Sequence, residues 1–99
     1  MKILCIGEAL IDMICTDKGR ALSEGDHFLK KAGGAPTNVA AAIAALGGET
    51  ELAAKVGADP FGKHLIDIMQ EFKVSTKWVV QDPQHFTTFA FVSLMENGE

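Results

Sequence analysis

Gly33-Gly34-Ala35-Pro36-Thr37-Asn38-Val39-Ala40-Ala41-Ala42-Ile43-Ala44-Ala45-Leu46-Gly47-Gly48 is the stretch whose reading decides the fold. Paired glycines let the backbone come close to a neighbour or a ligand. A helix is predicted from Ala35 to Leu46, with Pro36 at a first helical position, where its missing N–H costs least. Val39, Ile43 and Leu46 recur at helical spacing on one face, and alanines fill most other places, which suggests close packing against a sheet. Gly47-Gly48 ends the helix in the manner of C-terminal glycines.

Strands flank this helix. Ile3 to Ile6 is a short apolar run closed by Gly7, suited to a strand buried on both faces of a parallel sheet. Thr50 to Val56, closed by Gly57, reads as a second strand. Asp59-Pro60 supplies an N-cap and a proline for a second helix, whose apolar stripe is Phe61, Leu65, Ile68 and Phe72, widened by Ile66 and Met69. Trp78-Val79-Val80 is a short strand and Phe86 to Met95 a longer one. The order strand, helix, strand, helix, strand predicts an α/β fold with a mainly parallel sheet.

Ala9 to Cys15 resumes the apolar character, residues 16–26 read as a loop or hairpin, and Phe28 to Ala32 returns as a strand. The polar-edged strands near 13–32 and 78–95 fit the parallel sheet less well and predict a smaller antiparallel layer. Glu96-Asn97-Gly98-Glu99 follows a strand and contains Asn-Gly, a strong hairpin signal that calls for a further strand. The expectation is a truncated polypeptide.

Composition narrows the function. Thirteen acids against nine bases leave a net charge of −4, which offers no attraction to nucleic acid or to an anionic membrane surface. Cys5 and Cys15 make no CxxC pair, and His27, His64 and His85 are scattered, so a Cys/His metal site is not expected. No segment approaches the roughly 18 apolar residues of a membrane helix. The first apolar run is shorter than a signal-peptide core of roughly 7–15 residues. A cytoplasmic, reduced compartment fits best.

Two places could carry chemistry. Asp12 lies in Ala9-Leu10-Ile11-Asp12-Met13-Ile14, just after the first strand, and ligands collect at the carboxyl ends of strands in open α/β sheets. A carboxylate in so apolar a setting is costly unless paired or used. It reads either as a ligand contact or as an exposed or capping residue at a bend. Gly33-Gly34 with Asn38 at the helix start suits a polyhydroxylated or anionic ligand, or else is a plain strand-to-helix turn with Asn38 as its cap. Neither Gly-x-Gly-x-x-Gly nor Gly-x4-Gly-Lys-Ser/Thr occurs. Lys30-Lys31, Asp59 and His64 read as solvated or capping groups.

The spacing of these blocks adds a resemblance. Gly33-Gly34-x-Pro36-x-Asn38-x-Ala40 is followed after six residues by Gly47 and after nine more by Gly57. This is similar to the amino-terminal signature of the ribokinase-like (PfkB) carbohydrate kinases. Ile6-Gly7-Glu8-Ala9-Leu10-Ile11-Asp12 resembles that family's first strand, Val56-Gly57-Ala58-Asp59-Pro60-Phe61-Gly62 its second block, and Thr87-Thr88-Phe89-Ala90-Phe91-Val92 its later lid strand. Within the family, Gly-Glu-Ala-Leu-Ile-Asp and Gly-Gly-Ala-Pro-x-Asn resemble fructokinases. Ribokinases usually carry Asn where this chain has Leu10.

The resemblance implies a three-layer α/β/α domain with a small β-sheet lid, of which residues 1–99 are the amino-terminal, sugar-binding part. It implies phosphoryl transfer from MgATP to a sugar hydroxymethyl group. Asp12 would hold sugar hydroxyls, Gly33 and Gly34 would let the sugar lie against the backbone, Asn38 would bond another hydroxyl, and Thr88 and Phe91 would line the sugar face. ATP, Mg2+ and the catalytic base would be held by carboxy-terminal motifs that this chain lacks, so no catalytic residue is expected within it. The resemblance also implies homodimerisation through the lid. A 2-keto-3-deoxygluconate kinase or a ribokinase is the neighbouring alternative, and a carbohydrate-binding module without chemistry is the alternative of a different class.

Overall fold

The computed structural model describes residues 2–95. The turn expected at Glu96-Asn97-Gly98-Glu99 lies outside them. Eight elements run β1 (Lys2–Ile6), β2 (Leu10–Cys15), β3 (Phe28–Gly33), α1 (Ala35–Ala45), β4 (Glu49–Gly57), α2 (Pro60–Glu71), β5 (Ser75–Asp82) and β6 (Phe89–Val92). They build two three-stranded sheets, ordered β1-β4-β5 and β3-β2-β6.

The first sheet is parallel throughout, with Cys5 opposite Leu52 and Ala53 opposite Trp78. Helices α1 and α2 cover one of its faces. Cys5, Leu52 and Val56 from the sheet, Ala40 from α1, and Leu65 and Met69 from α2 join Ile11 and Val74 in one core cluster. Burial of a side chain such as Leu65 stabilises by about 2 kcal/mol relative to exposure. On the sheet's other face Leu4, Ile6, Trp78 and Val80 stay exposed, Ile6 at 72%. Among the described residues, helices cover only one side of this sheet.

Two strand expectations change. Trp78-Val79-Val80, expected in the smaller layer, instead lies in β5, which pairs with β4 in the parallel sheet. The physical reason is that this strand is apolar toward both sides: Val79 packs against the core while Trp78 and Val80 face away from it. The smaller sheet is mixed rather than antiparallel. β2 runs antiparallel to β3 but parallel to β6.

The buried face of α1 also differs from its apolar stripe. Thr37 and Ala40 are buried, and Ala41 and Ala44 pack partly against the core, whereas Val39 and Leu46 are 50% and 90% exposed. The small side chains are the ones that let the helix approach the sheet. Thr37 is tolerated there because its hydroxyl lies 2.6 Å from the Gly33 carbonyl oxygen and 2.7 Å from that of Gly34. α2 starts as expected, with Asp59 capping it through a 2.7 Å bond from the Gly62 N–H. Its inner face centres on Leu65 and Met69, leaving Phe61 and Phe72 at the rim.

Candidate functional site

The small sheet stands at the carboxyl ends of the parallel strands. β1 ends at Ile6, and β2 begins at Leu10 after a three-residue turn. That turn is locked to the glycine-rich entry of α1. Gly7 has φ 148°, and a β-carbon on it would lie 2.7 Å from Pro36 Cγ. Gly34 is the N-cap of α1 at φ 97°, a left-handed-side conformation that favours glycine, and a β-carbon there would collide with the Glu8 carbonyl. Positions 7–9 and 33–36 therefore form one interlocked corner.

Asp12 lies inside β2, not at a bend. It is opposite Lys31 on β3 and Ala90 on β6. Its carboxylate packs against Gly33, where a β-carbon would come within 2.7 Å of Asp12 Cγ and 2.9 Å of Leu10 Cδ1. Gly33 is thus a slot for Asp12, walled by Leu10, its partner across the β2–β3 register. Asp12 is half-buried. Within the described residues its carboxylate takes part in none of the hydrogen bonds or ion pairs that tie the other loops together.

The remaining expected residues distribute unevenly. Asn38 is exposed in the first turn of α1, and its backbone N–H makes the first helical bond, 3.1 Å to the Gly34 carbonyl. It lines a cleft of about 390 Å³ with Lys30, Lys31, Thr37, His64 and Phe72, and Asp12 is not among the lining residues. Thr88 is exposed just before β6, and its carbonyl accepts from the Ile11 N–H at 2.9 Å. Phe91 is opposite Met13, so strand alternation puts it on the other face of the sheet from Asp12. There it meets Phe28 edge-on at 6.1 Å and stacks with Phe89 at 6.2 Å.

Two participants were not visible in sequence. Thr37 holds the carbonyls of both site glycines, and Thr87 joins the lid strand to the turn after β4, where the Gly57 N–H donates to its hydroxyl at 3.0 Å. A Thr at the third place after the Gly33-Gly34 pair is the only hint of the first. The second depends on a contact between distant segments.

Other charged groups brace loops. Asp17 accepts from the N–H groups of Asp26 and His27 at 2.7 and 3.0 Å, and these bonds hold its carboxyl below the usual aspartate range. Asp82 is lowered likewise, first by the Gln84 N–H and then by His85. No group of three or more His, Cys, Asp or Glu gathers among the described residues to hold a metal ion. No helix among them is long and apolar enough to cross a membrane.

Comparison with known proteins gives a consistent result. The family model described as pfkB family carbohydrate kinase matches residues 1–99. A probable chloroplastic fructokinase-6 of Arabidopsis thaliana is 42% identical over 97 residues, which is 98% of this chain and 25% of that protein. The solved fructokinase of Halothermothrix orenii superposes with a TM-score of 0.90 at 31% identity, covering all of this chain and 36% of that one. The fructokinase of Vibrio cholerae O395 in its fructose, ADP and calcium ion bound form superposes with a TM-score of 0.77 at 33% identity, over 91% of this chain and 27% of that one. The chain thus spans about a quarter to a third of the length of these relatives. The fold is ribokinase-like.

Proposed function

This chain belongs to the pfkB family of carbohydrate kinases, and from that premise we propose that it is the sugar-holding amino-terminal part of an ATP-dependent fructokinase. The reaction is transfer of a phosphoryl group from MgATP to a hydroxymethyl group of the sugar.

The observation that carries this reading is the Asp12–Gly33 pair. A half-buried carboxylate with no hydrogen-bond or ion-pair partner among the described residues, set beside backbone that has no side chain, is suited to a small molecule rich in hydroxyls. A carboxylate accepts two charge-assisted hydrogen bonds from vicinal hydroxyls. In this reading Asp12 holds the sugar, Gly33 and Gly34 let it lie against the main chain, and Asn38 and Thr88 bond further hydroxyls. Phe91 contributes from the opposite face, through its aromatic contacts within the lid.

Fructose is favoured over ribose by Leu10, which walls the Asp12 slot with an apolar side chain where a ribokinase would offer an amide. A buried sugar hydroxyl left without a partner costs roughly 1–3 kcal/mol. The same argument is weaker against 2-keto-3-deoxygluconate, whose carboxylate needs a cation rather than an amide.

The described residues do not fit a nucleotide–metal site, since they contain neither a phosphate-binding loop motif nor a carboxylate cluster. In this reading ATP, Mg2+ and the catalytic base would be held by parts of the complete kinase outside this chain, which spans about a quarter to a third of its relatives. Self-association through the small sheet, whose edges are β3 and β6, belongs to the same proposal. So does a cytoplasmic setting, which suits two free, buried thiols at Cys5 and Cys15. Fructose-dependent formation of ADP by the complete protein tests the reading. A sugar-binding module without chemistry would bind fructose and form none.

A further inference from the structure

One carboxylate joins three elements at the β6 side of the small sheet. Asp59 Oδ1 accepts from the Gly62 N–H and from the Thr87 hydroxyl, both at 2.7 Å, while Oδ2 accepts from the Thr87 N–H at 2.8 Å. The Thr87 hydroxyl in turn accepts from the Gly57 N–H at 3.0 Å. Thr87 is 3% exposed, so these bonds have little competition from water. Capping α2 requires only the Gly62 bond. The two bonds to Thr87, 28 residues away, are surplus to a cap.

The backbone makes room for this arrangement. A β-carbon on Gly57 would lie 2.7 Å from the His85 carbonyl and collide with the Thr87 amide. One on Gly62 would collide with the Gly57 carbonyl and lie 3.1 Å from Thr87 Oγ1. Phe61 then packs edge-on against Phe89 at 4.8 Å, a second link between α2 and β6. From Thr87 the path to the sugar face is short. The Thr88 carbonyl takes the Ile11 N–H at 2.9 Å, and the next pair in the ladder is Asp12 with Ala90.

We propose that Asp59 and Thr87 form a latch that holds β6, and through it the Asp12 strand, in register over the ends of the parallel strands. Asp59 is a positioning residue in this scheme, not a catalytic one. The inference rests on the sugar-kinase reading for its kinetic consequence. Loosening the latch lowers the fraction of molecules whose small sheet is correctly placed, and apparent affinity falls with that fraction. Saturating sugar restores the placed state, so the effect belongs in the sugar KM and not in kcat.

The test uses the complete protein with fructose and ATP varied separately. Thr87→Val keeps the shape and removes both hydroxyl bonds, and Asp59→Asn replaces one acceptor oxygen with a donor. Each is expected to raise the sugar KM about tenfold while kcat and the ATP KM stay within about twofold. Thr87→Ser, which retains the hydroxyl, is expected to restore the sugar KM. Val74→Ala, in the core between α2 and β5, is expected to lower Tm without moving the sugar KM. An unchanged sugar KM in Thr87→Val, or an equal rise in Val74→Ala, overturns the latch. Hydrogen exchange at the Ile11 amide separates this outcome from failure of the kinase reading. If the unmodified protein turns over no sugar, faster Ile11 exchange in Thr87→Val still supports the latch, and unchanged exchange overturns it.

Discussion

The carboxylate of Asp12 occupies the space in which any residue but glycine at position 33 would carry its β-carbon. The two residues belong to neighbouring antiparallel strands, and neither position is explained by the core. Under the proposed sugar-holding role, Asp12→Ala in the complete protein would remove a charge-assisted pair of hydrogen bonds to the sugar. The expected loss in kcat/KM for the sugar is about 30- to 1,000-fold, with ATP parameters little changed. An unchanged sugar kcat/KM would make Asp12 a purely structural residue.

Gly33→Ala probes the same contact from the other side. The added methyl group displaces Asp12 without removing its charge, so sugar kcat/KM is expected to fall at least about tenfold. The double variant with Asp12→Ala is expected to be no worse than Asp12→Ala alone, because the displaced group is already gone. Additive losses in steady-state kinetics would show that Gly33 acts independently of Asp12.

The Asp59 latch has a pH signature. Desolvation by partial burial is the largest single influence and opposes ionisation, yet hydrogen bonds from the Thr87 N–H, the Gly62 N–H and the Thr87 hydroxyl outweigh it. The carboxyl is thereby held below its ordinary value of 3.8. A carboxyl lowered on folding contributes stability above its unfolded value, and that contribution is lost as pH falls through the folded value. The stability difference between the unmodified protein and Asp59→Asn is therefore expected to be full above about pH 5 and to shrink below pH 3.8. Urea unfolding at several pH values measures it. A difference independent of pH contradicts the assigned hydrogen bonds.

Helix α2 is capped by Phe72 and followed by Lys73 at φ 64°, with the Lys73 N–H bonded to Gln70 O and the Val74 N–H to Met69 O, both at 2.9 Å. Helix α1 makes the equivalent turn with Gly47 at φ 90°. A left-handed conformation costs a residue with a β-carbon roughly 1 kcal/mol. Lys73→Gly is expected to stabilise the protein by about 0.5–1 kcal/mol in urea unfolding, and a destabilised variant would count against this cap geometry.

Local punctuation explains what was legible in sequence. Pro36, Gly47 and Asp59-Pro60 mark helix ends through the backbone alone, and both helices begin where those residues stand. Which face a helix buries is less local. Val39 and Leu46 look like core, but close approach to the sheet selects the alanines and a Thr37 whose hydroxyl is satisfied by glycine carbonyls. The sheet that Trp78 joins depends on its pairing with Ala53, which is distant in the chain. The same limit applies to the candidate site. Asp12 and Gly33 were both named from their local settings, but their contact needs the β2–β3 register, and the same kind of register puts Phe91 on the far face.

The 99-residue chain by itself is expected to phosphorylate no sugar, because phosphoryl transfer depends on holding and neutralising the phosphoryl group and no phosphate-binding motif is present. It is also expected to self-associate, since Leu4, Ile6, Trp78 and Val80 leave one sheet face apolar and exposed. A coupled assay with several hexoses and a concentration series of mass measurements check the two statements. Turnover, or a strictly monomeric chain with a sharp thermal transition, contradicts them.

The most direct test is steady-state phosphorylation by the complete protein of fructose, ribose, 2-keto-3-deoxygluconate and adenosine, each with saturating MgATP. The expected result is sugar-dependent ADP formation with the highest kcat/KM for fructose. A higher value for one of the other three contradicts the fructose assignment, and the absence of ADP formation with every acceptor contradicts the sugar-kinase account itself.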